Sequence, residues 1–246
     1  MIGLLRQKPP ASATETLVFT AGSRSRPLII KRMAQARRMR LSVDPRDGGV
    51  RLVMPVRASI RAALKWVEEH RGWIEQALEA LPDAQPIAHG TVIEVGGEAL
   101  TIEIGDGVRG VKRVGARLLV APPTDLLTAR VVRWLRKQAL DRLDAETRRV
   151  AALAGVSIAK VSIGDPHARW GSCSSSGDIR YSWRLILAPP AVLEATVAHE
   201  VAHRLHMDHS PDFHAAVRRL LGRDPRAERA WLRAHGRELY WLGRDP

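Results

Sequence analysis

Residues 198–210 read AHEVAHRLHMDHS and contain four of the chain's nine histidines. His199, Glu200 and His203 form the pattern H-E-x-x-H. On a helix, residues four apart lie on one face about 6 Å from each other, so both imidazoles can reach one ion. The segment also has an apolar side, formed by Val192, Val197, Val201 and Leu205. The pattern therefore predicts a helix that is anchored in a core and presents a pair of metal ligands.

The glutamate of the pattern lies one position round the helix from the first histidine. Glu200 is poorly placed to be a third ligand, but its carboxylate can reach a water molecule on the metal. In zinc hydrolases the histidines hold Zn²⁺, the metal lowers the pKa of the water, and the carboxylate accepts its proton. We interpret Glu200 as a general base, in preference to the alternative of a helix with incidental histidines.

Two further histidines are candidates for the third ligand. His206 would lie on the same helical face, but its Cα would be about 10 Å along the axis from that of His199. The tripeptide at 210–212, Ser-Pro-Asp, is typical of the cap and first turn of a new helix, so the chain must turn at about residues 207–208. That turn can bring His209 back to the ion. We predict His209 as the third ligand, with His206 beside the site, in a substrate cleft or simply exposed.

The segment RWGSCSSSGDIRYSWRLILAPP, residues 169–190, has the pattern of a β-hairpin with a Ser/Gly turn. Its second strand is expected to alternate through Ile179, Tyr181, Trp183 and Leu185. The simpler interpretation places Trp170 in the core and Gly171 in a special backbone conformation. The functional one makes Arg169 and Trp170 part of a substrate cleft whose strand edge pairs with an extended peptide. Cys173 is a less favoured metal ligand, because three histidines and a water complete a catalytic zinc site.

Strand-like and helical segments are distributed unevenly along the chain. Short β-branched segments bounded by Gly, Pro or Asp occupy residues 17–22, 26–32, 39–45, 49–55, 91–97, 99–105, 117–123 and 160–164. Helical spacing runs from Ser59 to Leu81, in a long segment capped by Thr124 or Asp125, and through most of the sequence after Pro190. The pattern predicts an α+β fold, with a β-rich N-terminal half and a helical C-terminal half that carries a small sheet.

The composition indicates a globular protein with an uneven charge. Of the 246 residues 45% are hydrophobic, which is enough for a core. No apolar run approaches the ~18–20 residues that span a bilayer, and the apolar run before Arg6 is too short for a signal peptide. A single cysteine fits a reducing compartment, so we expect a soluble cytoplasmic protein without membrane association.

The net charge is +13, with twelve basic and three acidic residues in 1–60. We interpret this region as a solvated basic face that binds nucleic acid weakly and non-specifically at most.

Two C-terminal motifs, RWGSCSSSGDIRYSWRLILAPP and HEVAHRLHMDHSPDFH, resemble those of the YgjP-like metallopeptidases, a family related to the SprT and WLM zinc proteases. The N-terminal segment ARRMRLSVDPRDGGVRLVMP is similar to that family as well. The resemblance implies a zincin-like C-terminal half and one Zn²⁺ at His199, His203 and His209, with Glu200 as the general base. The chain departs from the family at His214, where a tryptophan is common.

These observations favour a zinc-dependent hydrolase, and most simply a metallopeptidase that acts on protein or peptide substrates. One alternative is a hydrolase of nucleotides or phosphoanhydrides, against which the lack of a phosphate-binding glycine loop argues. Another is a protease recruited to nucleic acid by the basic N-terminal half, and a third is a structural metal-binding module, which would not need Glu200. We predict two domains, a β-rich N-terminal region with a helical hairpin at 1–122 and a zinc metallopeptidase-like domain at 123–246.

Overall fold

The computed structural model describes residues 14–21, 24–166 and 169–244, and the chain divides into two compact units, Met1–Asp83 and Ala84–Pro246. The fold is α+β as predicted, with strands predominant in the first half and helices in the second. The expectation about a signal peptide concerns residues that lie outside the described ones. The division into units falls after Asp83, whereas the domain boundary expected at residue 122 stays a prediction.

The first unit contains a four-stranded sheet and two helices. Its elements are β1 Thr14–Ala21, β2 Arg24–Met33, β3 Arg40–Val43, β4 Val50–Pro55, α1 Ile60–Glu69 and α2 Arg71–Glu79. The strand order is β1-β2-β4-β3, in which the two hairpins are antiparallel and β2 pairs with β4 in parallel. Alternate side chains of β4 are buried, namely Val50, Leu52 and Met54. This period of two is the pattern that predicted the strand.

The helical segment of the first unit was predicted in part. Ser59 caps α1 as expected, because its side chain accepts a hydrogen bond from the backbone N–H of Ala62. The helical pattern that the sequence shows up to Leu81 forms two helices, α1 and α2, which meet at His70. The Nδ1 of the His70 ring lies 2.8 Å from the carbonyl oxygen of Trp66, one turn earlier.

The second unit begins with a sheet of the same order and strand senses as the first. Its strands are β5 Val92–Val95, β6 Glu98–Ile104, β7 Val111–Val114 and β8 Arg117–Val120, in the order β5-β6-β8-β7. Gly96 and Gly97 form the predicted hairpin turn, both with positive φ, as a type I′ turn requires. Strand β7 was not predicted, because its side chains are mostly exposed and show no buried alternation.

The remaining elements carry the candidate site. They are α3 Leu127–Ala154, β9 Lys160–Gly164, β10 Gly171–Cys173, β11 Asp178–Ser182, α4 Pro190–Ala202, α5 Pro211–Leu221 and α6 Arg226–His235. The three strands form one sheet in the order β10-β11-β9, so β10 is an edge strand. The apolar faces of α3, α4 and α5 contribute to one core cluster with this sheet.

Two local predictions in this region were wrong. The strand expected to continue through Trp183 and Leu185 ends at Ser182, whose side chain accepts a hydrogen bond from the N–H of Arg184 and so starts a short 3-10 helix. Neither Thr124 nor Asp125 caps the long helix, because residues 124–126 form a 3-10 turn before α3 begins. In the described part of the chain, no helix is both long and apolar enough to cross a membrane.

Candidate metal centre

The H-E-x-x-H segment lies at the C-terminal end of α4. The helix ends at Ala202, and His203 follows as its C-cap with φ −63° and ψ −16°. Because this residue keeps a helical conformation, it stays on the same face as His199, and the two ring centroids are 5.1 Å apart. The helix therefore ends before His206, which the sequence had placed on the same helical face. The chain does bend at residues 207–208, as predicted.

The chain then returns toward α4 through a capped turn. The N–H of Ser210 donates to the Asp208 side chain, and the Ser210 hydroxyl accepts from the N–H of Phe213, which caps α5. Pro211 occupies the first helical position, as its fixed φ favours. His209 stands in this turn, and its Nε2 lies 3.3 Å from the Nε2 of His199.

Three imidazoles thus converge on one point. His199, His203 and His209 each offer a ring nitrogen, and these nitrogens all lie within 4.8 Å of one another. Two nitrogens that bind one tetrahedral zinc at ~2.0–2.1 Å are about 3.3 Å apart, which matches the 3.3 Å between His199 and His209. The three histidines can hold a metal ion.

The ring of Phe213 forms a common support for the three histidines. Its centroid lies 4.9 Å from that of His199, 4.5 Å from that of His203 and 4.8 Å from that of His209. Phe213 has no exposed surface. Since a packed aromatic ring restricts the rotamers of its neighbours, Phe213 limits how far the three imidazoles can turn away from each other.

The backbone after α4 orients one of the imidazoles. Nδ1 of His203 lies 3.1 Å from the carbonyl oxygen of His206. A carbonyl can only accept, so this contact places the proton of His203 on Nδ1 and leaves Nε2 free to bind a metal. His206 contributes to the centre through its backbone, and its ring is not part of the cluster of three.

Burial keeps the first histidine neutral. The pKa of His199 is lowered to about 4, mainly because the ring is removed from water, with smaller contributions from the nearby imidazoles of His203 and His209 and from Arg229. A metal ligand must be deprotonated. His199 therefore offers its lone pair throughout the neutral pH range.

The glutamate of the motif is buried beside this cluster. Glu200 is 5% exposed, and burial raises its pKa to about 7, against an opposing effect of the Arg169 charge. The carboxylate faces the edge strand β10, where a Cβ atom added to Gly171 would lie 2.7 Å from both Cγ and Cδ of Glu200. Gly171 has no positive φ. The glycine is required by space and not by the special backbone conformation expected from the sequence.

A cavity of about 240 Å³ opens beside His199 and Glu200. Arg169, Trp170 and His206 were predicted for a substrate cleft. Arg169 and Trp170 line this cavity, whereas His206 does not. The lining also includes residues that were not predicted: Val192, Ala195, Thr196, Val217, Pro225, Glu228, Arg229 and Leu232. Half of these are ordinary apolar positions of helices, so the sequence carries no signal that they share one wall.

The side chain of His214, the residue at which we noted a departure from the resemblance, is partly exposed. The ring of His214 packs 5.3 Å from that of Phe213 and lies 6.3 Å from that of His209, between centroids. Its Nδ1 is 3.5 Å from a guanidinium nitrogen of Arg229. His214 is thus next to the cluster but outside the group of three nitrogens.

Comparison with known families agrees with this geometry. The family model described as "YgjP-like, metallopeptidase domain" matches residues 37–235, which is most of the chain. The chain belongs to the YgjP-like metallopeptidase family. Comparisons with curated proteins and with solved structures find no match. Membership in the YgjP-like family, with three histidines that can hold a metal, supports a metal-dependent hydrolase or peptidase.

Proposed function

We propose that the protein is a zinc-dependent peptidase. The observation that carries this proposal is the convergence of three imidazole nitrogens beside the buried carboxylate of Glu200. Three neutral nitrogen ligands with a free fourth position are the donor set of catalytic zinc sites, whereas structural sites have four protein ligands. Neither Cys173 nor His214, which are also potential ligands, is part of the cluster.

His199, His203 and His209 would hold the ion. A bound Zn²⁺ supplies a Lewis acid for the peptide carbonyl and lowers the pKa of water to near neutrality. The chain supplies preorganisation, because Phe213 supports all three rings and the His206 carbonyl sets the tautomer of His203. These contacts reduce the reorganisation that metal binding requires.

Glu200 would act as the general base and then as the general acid. Its carboxylate accepts a proton from the attacking water and delivers that proton to the leaving nitrogen of the peptide bond. General acid–base catalysis is most effective when the pKa of the group lies near the working pH. Burial raises the pKa of Glu200 to about 7 in the metal-free chain, and a bound Zn²⁺ would lower it toward the ionised form that accepts the first proton.

The edge strand β10 would bind the substrate backbone. Among the residues that the structure describes, Gly171–Cys173 pairs with β11 alone, because β10 is at the end of its sheet. An extended peptide can add to such an edge through backbone hydrogen bonds. Arg169 and Trp170 precede this strand and line the cavity at the candidate site, so a peptide on the edge would lie next to Glu200.

Weak binding of nucleic acid stays a prediction. Arg37, Arg38 and Arg40 are exposed near the start of β3 and have no ion-pair partner among the residues that the structure describes. Such binding would release counterions, so its affinity should fall steeply with salt. Nothing in the candidate site requires a nucleic-acid partner.

The deciding experiment compares Glu200→Gln with the matched variant Glu194→Gln. Glu194 is on the same helix and forms an ion pair with Arg223, away from the histidines. We expect Glu200→Gln to retain about one zinc per chain and to lose peptide cleavage by about a thousand-fold or more, and Glu194→Gln to retain both. The substrates are unfolded proteins, mixed peptides and nucleotides, each with and without a chelator. Cleavage of nucleotides alone, or zinc loss together with activity in Glu200→Gln, would contradict the proposal.

A further inference from the structure

The cavity beside the metal centre extends along the N-terminal half of α4. Val192, Ala195 and His199 follow one another at helical spacings of three and four, so they lie in one row on the same face of the helix. Thr196 lines the cavity next to this row. The cavity therefore begins at a predicted metal ligand and continues for about two turns away from it.

The other walls of the cavity are mostly apolar. Val217 contributes from α5, Leu232 from α6, and Trp170 from the segment before β10. Trp170 is held in place because it lies close to Gly236, where an added Cβ would be 2.7 Å from its ring. The hydroxyl of Thr196 donates to the carbonyl oxygen of Val192 within α4. The methyl group of Thr196 is therefore the part of the side chain that is left to line the cavity. Such a surface binds apolar groups in preference to polar ones.

The size of the cavity suits one side chain. Its volume of about 240 Å³ is below the ~300–1,000 Å³ of pockets that enclose whole small-molecule ligands. Ala195 is one helical turn from His199, a rise of about 5–6 Å. The Cα of the next residue in a peptide lies ~3.8 Å along the chain. A substrate whose carbonyl is at the metal can therefore place a neighbouring side chain beside Ala195.

The charges around the cavity are mixed in sign, so neither an acidic nor a basic side chain would be favoured by all of them. Glu228 is 8% exposed, is paired with Arg223 at 2.9 Å, and has one carboxylate oxygen without a hydrogen-bond partner in the described part of the chain. This wall would repel a second carboxylate. Arg169 and Arg229 are exposed, line the same cavity and would repel a basic side chain. An acidic or a basic side chain of the substrate would also lose its hydration between the apolar walls.

We propose that this cavity is a specificity pocket for a large apolar side chain, of the size of leucine, methionine or phenylalanine, adjacent to the bond that is cleaved. The proposal rests on the proposed peptidase function. In this pocket, Ala195 and Leu232 set the size of the side chain that is accepted. Ala195 does so because it is the smallest residue of the α4 row, and Leu232 because its partly exposed side chain lines the same cavity from α6.

The test measures binding as well as cleavage. The probes are peptide hydroxamates, whose hydroxamate group binds a zinc ion and fixes the register, with leucine, glycine, glutamate or lysine as the adjacent residue. Calorimetry on the zinc-loaded protein should show the leucine probe binding about 10-fold or more tightly than each of the other three. Burial of an apolar side chain should also make the heat-capacity change more negative for leucine than for glycine.

Two variants should change this selectivity in opposite directions. Ala195→Leu fills the pocket, so the preference for leucine over glycine should fall below about threefold while zinc content stays unchanged. Leu232→Ala enlarges the pocket and should shift the preference toward phenylalanine and tryptophan probes. The matched control is Ala191→Leu, which makes the same substitution on α4 at a residue outside the cavity lining and should leave the preference as it is. General damage to the fold would weaken all probes equally and could not produce opposite shifts.

The outcomes separate this inference from the proposed function. Selective hydroxamate binding without cleavage of any peptide would support the pocket and contradict the peptidase. Cleavage or binding without a preference at this position would overturn the pocket and leave the peptidase standing. A glutamate probe that binds more tightly than leucine would also overturn the pocket, since Arg169 and Arg229 would then decide the specificity. Absence of hydroxamate binding to zinc-loaded protein would overturn it as well.

Discussion

Replacement of Gly171 by alanine should disable catalysis while leaving the metal ligands untouched. The added Cβ would lie 2.7 Å from Cγ and from Cδ of Glu200, and closer still to one carboxylate oxygen. Carbon atoms in favourable contact are about 3.5–4.0 Å apart. Because Gly171 is on a hydrogen-bonded strand, the side chain of Glu200 is the part that must move, and it must move by roughly 1 Å.

A displacement of this size has a predictable effect on rate. A misplacement of about 1 Å in a reacting group costs on the order of a hundred-fold in rate, or about 3 kcal/mol in the transition state. Overpacking should also lower the free energy of unfolding by about 1–3 kcal/mol, which leaves a typical domain folded. We therefore expect Gly171→Ala to have about a hundred-fold lower kcat for a peptide substrate, with KM and zinc content close to those of the wild type.

The matched control is Gly164→Ala on strand β9 of the same sheet. Its Cβ would also come within 3 Å of a neighbour, but that neighbour is the guanidinium of Arg180, which is exposed and can swing aside. We expect little change in kcat for this variant. Steady-state kinetics and metal analysis of both variants test the reasoning. A Gly171→Ala enzyme with kcat within about threefold of the wild type would show that the position of Glu200 does not depend on this glycine.

Three further predictions concern the metal centre. His209→Ala should lose most of its zinc on dialysis and His206→Ala should keep it, because of these two residues only His209 places a ring nitrogen in the cluster. The reverse result would exclude His209 as the third ligand. Phe213→Leu should weaken zinc binding by about tenfold in a competition with a chelator, because the three rings lose their shared support; unchanged affinity would assign the residue to the core alone. The folded-state pKa of Glu200 is about 7 and its ordinary value is 4.5, so ionisation should destabilise the metal-free protein progressively as the pH rises from about 4.5 to 7. Glu200→Gln should then raise the free energy of unfolding by about 3 kcal/mol at pH 8 and by little at pH 4, as measured in urea; an equal difference at both pH values would refute the burial argument.

Local patterns predicted much of the second unit. The H-E-x-x-H spacing indicated that His199 and His203 share a helical face, and the Ser-Pro-Asp sequence indicated a new helix after a turn. Both features depend on contacts within a few residues, namely i to i+4 spacing and the cap of α5 by Ser210. The resemblance of two motifs to the YgjP-like family was likewise visible in the sequence, and the family match confirms it.

Other local predictions failed where a tertiary contact overrides a pattern. The alternation through Trp183 and Leu185 is typical of a strand, but the chain leaves the sheet at Ser182 and buries both side chains from a 3-10 helix. Strand β7 has no buried alternation, and it exists because β8 offers it an antiparallel partner. The identical order of the two four-stranded sheets is also invisible in the sequence, since strand pairing at a distance leaves no periodic trace.

The sequence by itself therefore determined the fold class, the family and the residues that can bind a metal, because helix periodicity, capping and motif spacing are short-range properties of the chain. Only the tertiary structure decided that a Cβ at Gly171 would collide with Glu200, that Phe213 supports three imidazoles, and that Ala195 and Leu232 face one cavity. These contacts join elements that are far apart along the chain. They arise from close packing, in which the fit of each side chain depends on neighbours that no local pattern identifies.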